Sequence, residues 1–265
     1  MNQHESETEF REPKDSDLKR WRDKLALIFA ILFPTLVTWI YFELLKNSDP
    51  EIQQVAYGVG KTFQFTFPVV WTWLFFRNKL KDLVFGIWIS KDKTQNSAHW
   101  IYGVAFGAAV VVAMFGLYFG WIQGSAVGND LTEMVRQKVV GFGFDSAFKY
   151  LGLAIFYSLM HSFLEEYYWR WFVYEHLKQF MSISWSNLIS SIGFALHHVI
   201  LLAFFFGWES PFTYLLSVCI AIGGCFWAWQ FQQTGKMRFP WISHMIVDAG
   251  IFGLGYFLIA PILTA

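Results

Sequence analysis

Charged and imidazole side chains lie inside hydrophobic segments of this chain, at spacings that suit hydrolysis by an activated water molecule. Glu165 and Glu166 are adjacent in the run FLEEYYWRWF, and Arg170 follows one helical turn after Glu166. Two later hydrophobic segments carry pairs four residues apart, namely Phe194/His198 and His244/Asp248. A carboxylate can take a proton from water, and an imidazole can accept a proton or donate one to a developing oxyanion. Since this set includes no Ser or Cys nucleophile, it favours activated water over a covalent intermediate.

Helical spacing predicts how the first of these groups is arranged. Residues four apart share a helix face, so Glu166 and Arg170 are expected to form an ion pair. The same geometry rotates Glu165 by about 100° and leaves it to face elsewhere. Ionised groups at membrane depth cost about 2.5–3.5 kcal/mol each, which favours a role in a reaction. The alternative is an ion-pair network that only holds helices together.

The composition places the chain among polytopic membrane proteins. It has 265 residues, of which 55% are hydrophobic and 21% aromatic, whereas only 15% are charged. A soluble domain carries about 25% charged residues. The many Trp and Tyr residues suit membrane–water interfaces. The net charge of +0 gives no indication of nucleic-acid binding.

Hydropathy predicts an all-α fold, a polytopic bundle of seven or eight transmembrane helices with one or two interfacial helices. An eighth span or a re-entrant segment stays open. The first run is too long and lacks the small-residue cleavage site of a removable signal peptide, so it is interpreted as an anchor. The seven predicted spans cover residues 25–45, 62–77, 99–122, 147–172, 186–206, 211–232 and 240–260.

The remaining segments complete a single-domain organisation. Residues 1–24 are charged and nearly devoid of apolar side chains, which predicts a disordered cytoplasmic tail before a membrane domain at 25–265. Apolar residues recur at helical spacing in segments 80–88 and 131–142, and both segments are predicted to be interfacial helices. The second follows Asn129 and Asp130, which are suitable helix caps.

The distribution of Lys and Arg predicts the orientation. The tail is rich in both, whereas the connection at 207–210 has neither, so the N-terminus is expected in the cytoplasm and the C-terminus outside. In this count Lys61 belongs to the loop after the first span. This orientation places the polar residues of the fourth, fifth and seventh spans in the cytoplasmic half of the bilayer, where they could meet.

The three polar motifs together resemble those of a known family. Glu165-Glu166-xxx-Arg170, Phe194-xxx-His198 and His244-xxx-Asp248 are similar, in order, to the motifs EExxxR, FxxxH and HxxxN/D. These motifs are typical of the CAAX protease and bacteriocin-processing (CPBP) family, intramembrane endopeptidases related to the type II CAAX prenyl protease. The resemblance covers residues 147–260, and it implies glutamate-dependent proteolysis inside the membrane.

The resemblance also implies roles for individual residues. Glu165 matches the base that activates water together with His198, and Glu166 and Arg170 match a structural and substrate-orienting pair. His244 and residue 248 match the pair that stabilises the oxyanion. The prenyl proteases have Asn at this last position. Because an ionised Asp248 would repel an oxyanion, we expect it either to be protonated or to orient His244.

The expected function is therefore that of an intramembrane endopeptidase. Its expected partners are the lipid bilayer and a membrane protein or a lipidated or leader peptide, and its expected location is a bacterial inner membrane. The alternative is a non-proteolytic immunity, scaffold or transport protein on the same fold. No cofactor and no metal are expected, since the chain has no HExxH motif. Donors for zinc are nevertheless available at His161, Glu165, His198, His244 and Asp248.

Overall fold

The structure is a computed structural model that describes residues 15–76 and 94–263 of the chain. Over these residues it contains eight continuous helices and no strands, which confirms the predicted all-α polytopic bundle. The helices are α1 Asp15–Trp39, continued by a π-helical turn Ile40–Leu44; α2 Pro50–Phe75; α3 Thr94–Leu117, continued by a π-helical turn Tyr118–Ile122; α4 Ala126–Gly141; α5 Ala147–Leu177; α6 Ile183–Phe206; α7 Pro211–Thr234; and α8 Arg238–Leu263.

Six of the described helices are long and apolar enough to cross a membrane. They agree closely with six of the seven predicted spans, and cover Asp17–Leu44, Ala98–Ile122, Ala147–Leu177, Ile183–Phe206, Pro211–Thr234 and Arg238–Pro261. The remaining predicted span, 62–77, overlaps the second half of α2, which is not among the six. Its amino-terminal half carries polar residues that lower the mean hydropathy.

Helix α2 also corrects the assignment of Lys61 to a loop. The helix starts at Pro50, where the side chain of Asp49 caps it by accepting a hydrogen bond from the backbone N–H of Glu51 at 2.8 Å. An aspartate cap followed by proline at the first helical position is a strong start signal. Lys61 is consequently the twelfth residue of a 26-residue helix.

Helix α1 begins ten residues before the end of the segment predicted to be a disordered tail. Residues 15–24 are helical, and the Arg22 guanidinium lies 3.8 Å from the ring centroid of Phe75 on α2. This cation–π contact and the buried Ala26 and Leu27 explain why the helix extends towards the N-terminus. Residues 1–14 lie outside the described part, so the division into tail and membrane domain stays a prediction.

The structure describes one of the two predicted interfacial helices. Segment 131–142 is largely helical, within α4, but the cap is Ser125, whose hydroxyl accepts from the N–H of Gly128 at 3.1 Å. Asn129 and Asp130 therefore lie inside the helix instead of capping it. Segment 80–88 lies outside the described residues.

The core is centred on α5. Its residues 168, 169, 172, 173 and 174 are fully buried against side chains of α1, α6 and α7. Helices α6 and α7 pack closely where Gly224 faces Ser191, since a Cβ at Gly224 would lie only 3.1 Å from the Cβ of Ser191. This close approach brings the backbone of α7 within reach of side chains on α5.

Two π-helical segments interrupt α5, at Phe156–His161 and Tyr167–Tyr174. Between them lies one short α-helical segment, Ser162–Glu166, which carries both glutamates. Wider π turns change the direction in which the following side chains point, and they occur often at functional sites. Both glutamates thereby lie in a short regular segment between two wider ones.

Candidate active site

A buried ion pair joins Glu166 and Arg170 on α5. The Nη1 atom of Arg170 lies 3.1 Å from Oε1 of Glu166, and both side chains are at most 2% exposed. Arg170 also donates from Nη2 to the backbone carbonyl of Gly224 at 3.2 Å. Its guanidinium lies over the rings of Phe194, at 4.9 Å, and Trp227, at 5.3 Å. The predicted ion pair is confirmed, and it ties α5 to α6 and α7.

Glu166 also holds the imidazole of His244 on α8. Nδ1 of His244 lies 2.8 Å from Oε1 of Glu166. Because an ionised carboxylate only accepts hydrogen bonds, we assign the proton of this bond to Nδ1. The imidazole stacks on Trp227 at 4.1 Å with an angle of 14° between the rings. Glu166 thus holds one edge of the His244 ring and Trp227 covers one face. Together they fix the orientation of the ring, and Nε2 is directed away from Glu166.

Glu165 lies at the centre of three imidazoles. Its Oε2 is 3.7 Å from Nε2 of His244, whereas its Oε1 is 3.5 Å from Nε2 of His197 and 3.8 Å from Nε2 of His161. The residue is only 2% exposed. Both glutamates therefore contact His244, although the spacing had predicted that Glu165 would face elsewhere. Oε1 of Glu165 is buried and makes no hydrogen bond with the described residues.

Adjacent histidines on α6 complete this group. Nδ1 of His198 lies 2.9 Å from the carbonyl oxygen of Phe194, and since a carbonyl only accepts, Nδ1 carries the proton. In a neutral ring the other nitrogen, Nε2, is then free to accept a proton. His197 is buried and parallel to Trp169, with ring centroids 6.1 Å apart and an angle of 5°.

The motifs selected His198 alone, and the structure places both His197 and His198 at the site. Motif register alone selected His198, because Phe194 precedes it by four residues. Nε2 of His197 nevertheless lies 3.5 Å from Oε1 of Glu165, and in the described region it forms the ion pair between α6 and Glu165. The only signal in the sequence is the dipeptide His197-His198 itself, which puts two imidazoles on neighbouring faces of one helix.

Asp248 shares a face of α8 with His244, as predicted. Its Oδ1 lies 3.6 Å from Nε2 of His244, and its side chain is 14% exposed. Nε2 of His244 thus lies between a carboxylate of α5 and a carboxylate of its own helix. The three predicted pairs, on α5, α6 and α8, meet in one cluster as the motif analysis expected.

One group of donors in the described part of the chain is compact enough to be considered for a metal ion. Ligand atoms of Glu165, His197 and His198 all lie within 4.8 Å of one another. Ligands of a single zinc ion lie closer together, within about 4 Å, so the group would have to tighten around the metal. This set overlaps the donors proposed from the sequence at Glu165 and His198, and it adds His197.

A comparison with known protein families matches the part of the chain that contains the polar cluster. Residues 147–250 match the family model described as type II CAAX prenyl endopeptidase Rce1-like. The comparison with curated proteins and the comparison with solved structures gave no match. The matched residues contain all three motifs, from Glu165 to Asp248. Over residues 147–250, which hold the whole polar cluster, the chain is similar to the Rce1-like type II CAAX prenyl endopeptidases.

Proposed function

We propose that the protein hydrolyses a peptide bond inside the membrane by means of water activated at Glu165. The family match supports a CAAX-type endopeptidase kind of function, and the proposal adds the mechanism. The single observation that carries it is the position of Glu165, a buried carboxylate with one oxygen towards His197 and His161 and the other towards His244. A carboxylate placed among imidazoles can exchange protons with water without a covalent intermediate.

In the proposed reaction, Glu165 and Nε2 of His198 draw a proton from one water molecule. The resulting hydroxide adds to the carbonyl carbon of the substrate, whose oxygen becomes an oxyanion. The proton then passes to the amide nitrogen, the C–N bond breaks, and a new carboxyl group and a new amine leave the site. General-base assistance of this kind contributes about 10²- to 10⁴-fold in rate.

His244 is proposed to stabilise the oxyanion, and the distances support this role. Nδ1 is engaged with Glu166, so only Nε2 is available to the substrate. Nε2 lies 3.7 Å from Glu165 and 3.6 Å from Asp248. Because an unprotonated Nε2 and two ionised carboxylates are all acceptors, this arrangement requires a proton between them. With that proton on Nε2, His244 can donate to an oxyanion while Asp248 orients the ring.

Glu166 and Arg170 are positioning residues in this proposal. Their ion pair holds the acceptor of the His244 Nδ1–H in place, and the bond from Arg170 to Gly224 anchors that acceptor to α7. Preorganised polar groups in a low-dielectric site need little rearrangement during the reaction. The pair contributes by fixing the distance between His244 and the scissile carbonyl.

The proposed substrate is a membrane-delivered protein or a lipidated or leader peptide. The proposed setting is a bacterial inner membrane with the N-terminus in the cytoplasm, as the distribution of Lys and Arg suggests. With α2 counted as a seventh crossing, as the sequence predicts for 62–77, the cluster is closer to the cytoplasmic leaflet, since Glu165 lies 12 residues before the end of α5 and His244 lies 6 residues after the start of α8. Because unpaired backbone is not tolerated in lipid, the substrate has to reach the cluster between helices.

The test compares peptide termini, by mass spectrometry, in membranes of cells that produce wild type, Glu165→Gln or Glu175→Gln at equal levels. Glu175 is a matched control because it lies on the same helix but is exposed and paired with Lys178. We expect new termini with wild type and Glu175→Gln and none with Glu165→Gln. Termini that persist with Glu165→Gln would rule out the mechanism. If no termini depended on any variant but a host phenotype did, a non-proteolytic function would be favoured.

A metal-dependent version of the same hydrolysis is kept as the second candidate, because Glu165, His197 and His198 bring three donors together. A bound zinc ion would supply a water of lowered pKa, and Glu165 would then be a ligand. The discriminating experiment removes metal with a chelator and measures both hydrolysis and metal content of the purified protein. Hydrolysis that disappears and returns with added zinc would favour this version over the glutamate base.

A further inference from the structure

Helix α2 presents a polar face towards the cluster that neither the motifs nor the family match includes. Its inward-facing residues follow each other at spacings of three and four, and they are Tyr57, Lys61, Gln64, Pro68 and Thr72. Phe65 on the same helix lies edge-on to His161, with centroids 6.0 Å apart. His161 in turn lies 3.8 Å from Glu165. One wall of the candidate active site is therefore formed by α2.

Lys61 is the charged residue on this wall. Its ammonium group lies 5.6 Å from the ring centroid of Tyr57 and 5.6 Å from that of Phe65. Among the described residues no carboxylate lies within 4.0 Å of it. The side chain is half-buried, so part of it is open to a ligand. Lys61 is thus connected to Glu165 through Phe65 and His161, and it is not the direct ion-pair partner of Glu165.

Lys61 lies in the middle of α2 and not near either end of the helix. Lysines near helix ends extend their ammonium groups to the lipid headgroups. Lys61, however, is about 16 Å from the start of α2 and about 21 Å from its end, at about 1.5 Å per residue. The described residues offer the Lys61 ammonium two aromatic rings but no carboxylate within 4.0 Å, so an anionic group of a bound molecule would fit this position.

Gln64 provides a second, independent indication of a ligand at the same place. It is fully buried, and neither the oxygen nor the nitrogen of its amide has a hydrogen-bond partner within the described ranges. Buried amides are normally bonded, since leaving one unpaired costs about 1–3 kcal/mol. Gln64 follows Lys61 by three residues on the same helix face. An amide that both donates and accepts is suited to a peptide group of a bound chain.

We propose that this face of α2 binds the substrate, with Lys61 receiving a carboxylate of the substrate and Gln64 pairing with a nearby peptide group. The proposal rests on the proposed proteolytic function. Lys61 is a specificity residue, since its lack of direct contact with Glu165 places it away from the attacking water. The carboxylate comes either from the carboxyl end of the substrate or from an Asp or Glu side chain close to the scissile bond.

The test uses purified protein in lipid nanodiscs and a library of synthetic peptides that carry an acyl anchor. The library is used in three forms: untreated, amidated only at the carboxyl end, and methyl-esterified at all carboxylates. Cleaved ends are identified by mass spectrometry. The proteins are wild type, Lys61→Met, Lys61→Arg and the control Lys46→Met, whose lysine is 54% exposed and lies 3.6 Å from Glu43.

We expect wild type and Lys46→Met to cleave the untreated library at least about tenfold more efficiently than the esterified one. Lys61→Met should cleave the untreated and esterified libraries with similar efficiency, because its KM for the untreated peptides is raised. Lys61→Arg should keep part of the preference for the untreated library. If amidation alone has the effect of esterification, the carboxylate is that of the carboxyl end; if not, it belongs to a side chain. Thermal stability of Lys61→Met should be equal to or above that of wild type, because an unpaired charge is removed.

Equal cleavage of the untreated and esterified libraries by wild type would overturn the inference, whether or not the variants fold. A difference that persists in Lys61→Met would overturn it as well. Either result leaves hydrolysis intact and so leaves the proposed function standing. Absence of cleavage of every library by wild type would instead defeat the proposed function, and this inference with it.

Discussion

Replacement of Arg170 by Met removes the positive partner of a fully buried ion pair and leaves an unbranched apolar side chain in its place. Glu166 is then left with the His244 imidazole as its polar contact, at zero exposure. The hydrogen bond to the carbonyl of Gly224 is lost as well, and the contacts over Phe194 and Trp227 no longer involve a cation. Removal of one partner of a buried pair costs about 3–5 kcal/mol, because the remaining charge stays buried without compensation. We therefore expect Arg170→Met to lower the free energy of unfolding by that amount.

The double variant Glu166→Gln/Arg170→Met separates two effects on stability. One is the loss of the ion pair, and the other is the cost of leaving the Glu166 carboxylate buried without a positive partner. When both charges are removed, no uncompensated ion remains, so the double variant should be more stable than Arg170→Met alone. The matched control is Arg136→Met. Arg136 pairs with Glu133 on α4, but both side chains are more than 40% exposed, so no measurable change is expected.

The assay is reversible unfolding of the purified protein in mixed micelles by a denaturing detergent, followed by tryptophan fluorescence. The reasoning requires Arg170→Met to be far less stable than Arg136→Met. If the two variants were equally stable, the ion pair would not hold α5 against α6 and α7. If the double variant were less stable than Arg170→Met, the orphaned-charge explanation would be refuted.

Three further predictions concern packing, the histidines and metal. Gly193→Ala should lower the free energy of unfolding by about 1–3 kcal/mol, because its Cβ would lie 2.9 Å from the ring of the fully buried Trp169. Gly152→Ala, where nothing lies within 4 Å, should not destabilise the protein in the same detergent assay, and a loss there would contradict this packing argument. His197→Gln and His198→Gln should each reduce kcat by about 10²-fold with little change in stability, and a wild-type rate for His197→Gln would exclude this residue from the site. Hydrolysis should survive treatment with a zinc chelator, and metal analysis of the protein should find less than one equivalent of zinc.

Helical spacing was sufficient to predict which polar residues share a face. The pairs Glu166/Arg170 and His244/Asp248 lie four apart on one helix, and both contacts are present in the structure. Local periodicity determines such contacts because a helix fixes its own side-chain directions. The length and hydropathy of the apolar runs likewise predicted the six long apolar helices.

Contacts between helices were harder to predict from the sequence. Whether His197 or His198 lies nearer to Glu165 depends on the rotation of α6 against α5, and no local pattern determines that rotation. Glu165 and Glu166 both contact His244 because the imidazole presents Nδ1 to Glu166 and Nε2 to Glu165, which helical spacing within α5 does not determine. The attribution of Lys61 to a loop, by contrast, was avoidable, since Asp49 followed by Pro50 is a helix start signal.

The most direct measurement of the central claim is the rate of peptide hydrolysis by purified protein in nanodiscs, for wild type, Glu165→Gln and Glu175→Gln. The substrate is a peptide identified by the comparison of termini. The account predicts a loss of about 10²- to 10⁴-fold in kcat for Glu165→Gln, with unchanged folding, and a wild-type rate for Glu175→Gln. Hydrolysis by Glu165→Gln at the wild-type rate would contradict the assignment of this glutamate as the base.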